Sequence, residues 1–475
     1  MKQTVVIYPS PGIGHLISMV EFGKQIINHH PSFSITILIT TVNPSTTAQT
    51  TPYINRISQS TPSIIFHHLP NPTQNQPNHH QIPSIFEILH KNNPIIHKSL
   101  QTLSLSSTIS AFIFDVFCAT SLQVTTQLQI PSYFFFTSGA NALSVLLNFP
   151  TLHKTNTGKI NSHNLPNTYL NLPGLPPILA TDMPSPIFNR NDKSYESFLA
   201  ISNSAIQAKG IIVNTFESLE SRAIKAIRDG LCIPDSPTPP VYPIGPLIAE
   251  PTAGDHGDSS NVDCLTWLDE QPRGSVVFLC FGSGGVFSAA QLKEIGVGLE
   301  RSGQRFLWVV RSAPTEDKSK RTLASVEPDL ESLLPEGFLD RTRDRGLVVK
   351  NWAPQVDVLN RESVGGFVTH CGWNSILESV SAGVPMIGWP LYAEQRLNRV
   401  VLVKEMKLGL WLNESEDGFV TASEIEERVR ALMESEEGRE LKERVLVAKD
   451  EAKAALSEGG SSRSALAELV ESWCL

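Results

Sequence analysis

Residues Trp352–Gln395 read WAPQVDVLNRESVGGFVTHCGWNSILESVSAGVPMIGWPLYAEQ. Within this stretch an apolar strand, Gly366–Thr369, runs into His370-Cys371-Gly372-Trp373-Asn374-Ser375, and a helical pattern follows at once. A strand that feeds a helix through a tight turn is part of a βαβ unit. Small and polar residues at such a turn leave backbone N–H groups pointing outward, and the helix dipole adds positive character. The combination suits a phosphate or diphosphate. His370, Asn374 and Ser375 add side-chain donors. Glu378 lies one helical turn beyond Asn374 on the same face, placed to accept hydrogen bonds from two ribose hydroxyls. Trp352 precedes Ala353-Pro354 and offers a flat face to a base. Glu394 and Gln395 follow Pro390 at another helix start, and both suit sugar hydroxyls. An ordinary capped helix with core tryptophans satisfies the same spacing, so spacing alone leaves both readings open.

Working outward, short apolar strands alternate with helical patterns along the whole chain, the signature of parallel α/β sheets. The first half offers strands at Val5–Tyr8, Ser34–Ile39, Ala111–Phe114, Tyr133–Phe136 and Gly210–Asn214, with helices at His15–Asn28 and Phe216–Asp229. The second half offers Val276–Cys280, Phe306–Val310, Leu347–Lys350, Gly366–Thr369 and Met386–Gly388, with helices at Ala289–Ser302, Ser375–Ser381 and Glu394–Glu405. From Ser423 onward the pattern is almost all helix. Continuous apolar runs suit strands covered on both faces. Two Rossmann-like domains, their parallel sheets facing a central cleft, are therefore expected, with ligands beyond the carboxyl ends of the strands.

The charge supports that division. Residues 1–245 carry 13 Lys/Arg and 10 Asp/Glu, whereas residues 246–475 carry 25 and 37, giving the chain its net −9. Such a shift suggests two domains with different duties. We expect a first domain over 1–247, a linker over 248–262, a second domain over 263–455, and a C-terminal helix over 456–475. The linker contains the polar stretch Ala249–Asn261, and Ser312–Ser332 reads as an exposed loop.

Several function classes fall away. An acidic chain of 475 residues has no basic footprint for nucleic acid. The apolar runs are too short to span a bilayer, and the start, MKQTVVIYPSPG, reads as a first strand and not a signal peptide. Six scattered cysteines form no C-x-x-C pair, which fits buried free thiols and a reducing compartment, the cytosol. A nicotinamide enzyme needs G-x-G-x-x-G after a first strand. Here Gly12-Ile13-Gly14 is followed by Ile17, and Gly282-Ser283-Gly284 by Phe287. No P-loop, no D-x-D pair and no tight His/Asp/Glu cluster occurs, so no metal is indicated.

The 44 residues from Trp352 to Gln395 closely resemble the donor-binding signature of the plant family 1 UDP-glycosyltransferases, the secondary-product glycosyltransferases. Other motifs stand in the family's order: PSPGIGH at the start, a strand ending in Asp115, FFTSGA at Phe135–Ala140, NTFESLE at Asn214–Glu220, YPIGPL at Tyr242–Leu247 and LCFGSGG at Leu279–Gly285. The resemblance implies an α/β chain of GT-B architecture. It implies an N-terminal acceptor domain, a C-terminal UDP-sugar domain, and a last helix packing back on the first domain. It implies that Trp352 stacks on uracil and the Ala353 backbone reads the base edge. Gln355 and Glu378 would hold the ribose. His370, Asn374, Ser375 and Ser283 would hold the diphosphate. Trp373, Glu394 and Gln395 would contact the sugar. One departure exists, because many members carry Asp where this chain has Glu394.

His15 opens the first helix at the carboxyl end of the first strand, and Asp115 closes another strand. Two sheet ends can bring them together across 100 residues. Transfer to a hydroxyl needs its proton removed, and a neutral imidazole suits that task near pH 7. The helix N-terminus disfavours the imidazolium, while Asp115 favours it and fixes the tautomer. A lone histidine at a helix start is more often a cap, and the resemblance is what assigns the pair a catalytic role. The pairs His29-His30, His67-His68 and His79-His80 read as loop residues.

An inverting transfer of glucose from UDP-glucose to a flavonoid, isoflavone, chalcone or dihydrochalcone hydroxyl follows, with no metal or other cofactor and a monomer as the working unit. The segments LVVKNWAPQ and WPLYAEQRLNRV resemble the phenolic glucosyltransferase branches. Candidate acceptor-pocket residues are Ile13, Phe117, Leu143 and Met183, each of which suits a core position equally well. C-glycosylation and terpenoid or hormone acceptors stay open. A nicotinamide oxidoreductase or a non-catalytic binding protein are the alternatives from other classes.

Overall fold

The computed structural model describes residues 2–42, 44–70, 84–155, 167–251, 259–312 and 327–473. The chain divides into two compact units, Met1–Ala249 with Ala454–Leu475, and Glu250–Lys453.

The first unit is built on seven strands: β1 (Lys2–Tyr8), β2 (Ser34–Thr40), β3 (Ile64–Leu69), β4 (Ser107–Asp115), β5 (Ser132–Phe136), β6 (Gly210–Val213) and β7 (Val241–Pro243). Their order is β3-β2-β1-β4-β5-β6-β7, and every pair is parallel. Val5, Val6, Ile7, Phe112, Ile113 and Phe114 are fully buried, as strands covered on both faces should be. The order reverses between β1 and β4, where Tyr8 lies opposite Phe114. Helix α1 (Ile13–His29) leaves β1 at that point and buries Leu16, Met19, Val20, Phe22 and Ile26 against the sheet.

The second unit repeats the scheme with β8 (Val276–Cys280), β9 (Arg305–Val310), β10 (Gly346–Lys350), β11 (Val364–Thr369), β12 (Met386–Gly388) and β13 (Gly409–Trp411). The order is β10-β9-β8-β11-β12-β13, again all parallel. The switch point lies between β8 and β11, where Cys280 faces Thr369. Helix α2 (Trp373–Ala382) follows β11, and α3 (Gln395–Val400) follows β12, continuing as a π-helical turn over Val401–Glu405.

Several sequence expectations change. The strand β3 holds His67 and His68, which therefore are not loop residues; it is an edge strand with both histidines exposed. His29 ends α1 and His30 caps it. The helix expected over Phe216–Asp229 runs only over Ser221–Arg228, because Phe216 is buried and the Glu220 side chain turns toward a neighbouring helix. His79, His80, Cys474, residues 252–258 and residues 313–326 lie outside the described residues.

The last helix, α4 (Ser461–Glu471), belongs to the first unit. Leu466, Leu469, Val470 and Trp473 join its core. Trp473 packs edge-on against Phe33 and Tyr133, at 6.0 and 5.9 Å between ring centroids. Ser462 donates to the Gly245 carbonyl at 2.6 Å. Trp473→Ala should destabilise the first unit by about 3 kcal/mol, the usual scale for emptying a buried aromatic site. Chemical denaturation checks this, and an unchanged midpoint would show that the C-terminal residues add nothing to that core.

Candidate functional site

In the first unit the switch point brings two distant residues together. Asp115 ends β4 with no exposed surface. Its Oδ2 accepts from the Ser10 amide at 2.9 Å, and its Oδ1 from the Val116 amide at 2.7 Å. His15, on the first turn of α1, sets Nδ1 2.7 Å from the same Oδ2. A buried carboxylate needs such partners, since ionised groups are costly to desolvate alone. With Nδ1–H donating to Asp115, the basic lone pair of the imidazole sits on Nε2. The Thr137 hydroxyl also lies 3.2 Å from Nδ1. Reading the sequence overlooked Thr137, which follows β5 in FFTSGA.

An aromatic group stands beside this pair. The Phe117 ring is 5.6 Å from His15, and Phe86 and Phe198 meet Phe117 edge-on at 5.6 and 6.4 Å. All three are half-buried. Ile13 is partly buried at the start of α1. Leu143 has no exposed surface and Met183 only 5 %, so both are packed interior and not open wall. Phe86 and Phe198 were missed because they lie in unremarkable helical sequence far from any motif.

In the second unit the turn after β11 leads into α2, whose first turn has no side-chain cap. A helix start without a side-chain cap is the kind of arrangement that can receive an anion. His370 lies in the turn and is nearly buried, and its Nδ1 has no hydrogen-bond partner among the described residues. Desolvation, with Arg311 nearby, lowers His370 to about 4, so at neutral pH it is an uncharged donor. The ring is wedged between two glycines. A Cβ on Gly282 would sit 2.5 Å from His370 Nε2, and one on Gly372 would sit 2.4 Å from it. Gly282 also has φ +71°, so no other residue fits there without strain.

Ser283 is exposed on the same glycine loop, and Arg311 donates to its carbonyl. Arg311, at the end of β9, and Tyr392, whose hydroxyl comes within 2.8 Å of a Cβ built on Gly284, both escaped the sequence reading. A cation ending the buried run FLWVV was the signal available for Arg311. Gln355 donates to Ser375 Oγ at 2.8 Å and to Glu378 Oε2 at 2.6 Å, joining three of the expected residues. Trp352 is 55 % exposed, while Ala353 behind it is buried. Trp373 is 4 % exposed, so most of its ring is packing. Glu394 begins α3 as its cap residue. Gln395 is buried, and its Oε1 accepts from the Leu391 and Tyr392 amides at 2.8 and 2.9 Å. That oxygen is spent on the turn, and the side-chain amide also hydrogen-bonds the Tyr392 hydroxyl. Asn374 is half-buried on the first turn of α2.

A family profile described as "UDP-glucoronosyl and UDP-glucosyl transferase" matches residues 253–445. The anthocyanidin 5,3-O-glucosyltransferase of a Rosa hybrid cultivar is 50 % identical, over 99 % of this chain and 98 % of that one. The phloretin 2'-O-glucosyltransferase of Malus domestica is 49 % identical, over 99 % of this chain and 100 % of its own. The chain is a member of the UDP-glycosyltransferase family. The solved structure of Phytolacca americana UGT2, complexed with UDP-2fluoro-glucose and pterostilbene, is 40 % identical with a TM-score of 0.86, over 100 % of both chains. The glycosyltransferase thus has the GT-B fold, and a UDP-sugar is its donor.

Glu378 gives the glycosyltransferase a pH signature. Burial raises its carboxyl to about 7, and the Gln355 hydrogen bond pulls only partly the other way. At the ribose contact expected for Glu378, hydroxyl donors from a bound UDP-sugar would favour the carboxylate and lower that value again. Affinity is then full above pH 7 and falls as the empty site takes up a proton. UDP-glucose affinity measured calorimetrically without acceptor should drop about tenfold from pH 8 to pH 6. Glu378→Gln should flatten the profile. A flat profile in the unaltered protein would exclude Glu378 from the donor site.

Proposed function

We propose that this glycosyltransferase moves glucose from UDP-glucose to a hydroxyl of a small phenolic compound of the flavonoid or dihydrochalcone type, with inversion to a β-glucoside. The observation that carries the reading is the 2.7 Å contact from His15 Nδ1 to the buried Asp115 carboxylate. His15 takes the acceptor proton on Nε2 as the oxygen attacks the anomeric carbon. Asp115 holds the tautomer and stabilises the imidazolium that forms. A phenol ionises near ~10, within reach of a histidine base. The half-buried ring of Phe117 beside His15, with Phe86 and Phe198 packed on it, supports an aromatic acceptor. The names of the rose and apple relatives support the same class.

On the donor side, we assign Trp352 to the uracil face and the Ala353 backbone to its edge. Gln355 and Glu378 take the ribose. His370, Asn374, Ser375 and Ser283 take the diphosphate, helped by the uncapped start of α2 and by the Arg311 charge. These groups stabilise UDP as it leaves, the task a divalent cation performs elsewhere, which supports metal-independent turnover. Trp373, Glu394 and the Gln395 amide face the sugar. Trp373 supplies no cation for a sugar carboxylate, which favours UDP-glucose over UDP-glucuronic acid. A cytosolic monomer completes the proposal. No described helix is long and apolar enough to cross a membrane.

His15→Ala should lower turnover by roughly 10²–10⁴, the usual worth of general-base catalysis, while UDP binding survives. The assay is release of UDP with a phenolic panel in excess EDTA, with products identified by mass spectrometry. Near-normal turnover in the folded variant would remove His15 as the base, and dependence on added Mg²⁺ would overturn the metal-free reading. In direct competition, UDP-glucose should be preferred over UDP-galactose and UDP-glucuronic acid by at least about tenfold, or ~1.4 kcal/mol in the transition state. Equal use of the three sugars would refute the assignments of Trp373 and Gln395.

A further inference from the structure

We propose that Glu220 is a positioning residue for the His15 base, acting through the turn that carries Thr137. The proposal rests on the reading of His15 as the base. Glu220 is 1 % exposed and lies 80 residues from the groups it holds. Its Oε2 accepts from the Ala140 amide at 2.7 Å. Its Oε1 accepts from the Asn141 amide at 2.8 Å and the Asn141 side-chain amide at 2.7 Å. These amides start the helix Ala140–Thr155, which follows β5 after only three residues, Thr137, Ser138 and Gly139.

A helix start can be satisfied by a serine or aspartate from its own turn. Burying a full carboxylate from another segment is the more costly solution, and it needs every acceptor position matched. What the carboxylate adds is rigidity. Strand β5 fixes one end of the turn, and Glu220 fixes the other. Thr137 is thereby held 3.2 Å from His15 Nδ1, beside the Asp115 oxygen at 2.7 Å. Two oxygens from different strands then flank one N–H. They restrict rotation of the ring, aim Nε2, and favour the imidazolium once the acceptor proton arrives. Asp115 is the charged group in contact with the ring; Glu220 never touches it.

Thr137→Val, Glu220→Gln and the double variant test this. Each single change should lower kcat about tenfold, with UDP-glucose affinity within about twofold of normal, a fraction of the general-base effect. Loss of an oxygen at Nδ1 disfavours the imidazolium, so the acid limb of kcat/KM should move to lower pH by about half a unit. The double variant should be no worse than the poorer single one, because both changes act through the same contact. Thr137→Ser should restore most of the rate. Independent, multiplying effects in the double variant would overturn the proposal. So would a Thr137→Val enzyme with normal kcat and pH profile, and this second result decides the matter even if Glu220→Gln does not fold. If His15→Ala keeps its turnover, the base assignment fails. If His15→Ala is inactive and Thr137→Val is normal, only the positioning role fails.

Discussion

Every strand pair in the two large sheets is parallel, so each sheet delivers all its carboxyl ends to one edge. A parallel strand must be followed by a crossover, and the crossovers leave on opposite sides where the strand order reverses. At β1/β4 and at β8/β11 a notch results, floored by strand ends with no further ladder partners. Polar groups gather in these notches because backbone there must find partners outside the sheet. Asp115 meets the need with the Ser10 and Val116 amides, and the helix after β11 starts with no side-chain cap. One topological constraint thus produces a buried carboxylate–imidazole pair in one unit and a glycine-flanked helix start in the other.

The two notches are tuned in opposite electrical directions. In the first, a buried carboxylate is kept in hydrogen-bond contact with an imidazole, so positive charge is welcome there. In the second, His370 is kept neutral and Glu378 is pushed toward neutrality by burial, while Arg311 and helix amides supply positive character. The diphosphate proposed for this notch would gain from a site that holds back its own negative charge. The close approach of His370 to Gly282 and Gly372 shows how little room remains, and why those positions carry no side chain.

Much of this was legible in the sequence. Strands buried on both faces, such as VVFLC and FLWVV, announce themselves as unbroken apolar runs, and the small-residue turns after them mark the notches. Three of the four edge strands do not; only β10 was read, as Leu347–Lys350. β3 exposes His67 and His68, and β7 and β13 have three residues each, so none shows the run that the reading relied on. The helix Ala140–Thr155, which holds Pro150 in its interior, was not read from the sequence. His15 with Asp115, and Gln355 with Ser375 and Glu378, are in contact where chemistry and motif coincide in the sequence. Thr137, Arg311 and Tyr392 went unnoticed because their contacts depend on which strand end lies beside which, and spacing along one chain does not carry that. Leu143 and Met183 fail for the converse reason: an apolar residue near a site reads the same whether it faces the ligand or the interior.

The first unit is not continuous in the chain, since its core takes in Leu466, Leu469, Val470 and Trp473 from the far end. During synthesis, Phe33 and Tyr133 leave the ribosome long before the residues that cover them. At roughly 5–20 residues per second, the intervening three to four hundred residues mean tens of seconds of exposure for that apolar surface. The newborn chain therefore carries a sticky, unfinished half while its second half folds. How long that surface waits is set by the sequence distance between the groups that pack together, and not by how stable the finished molecule is.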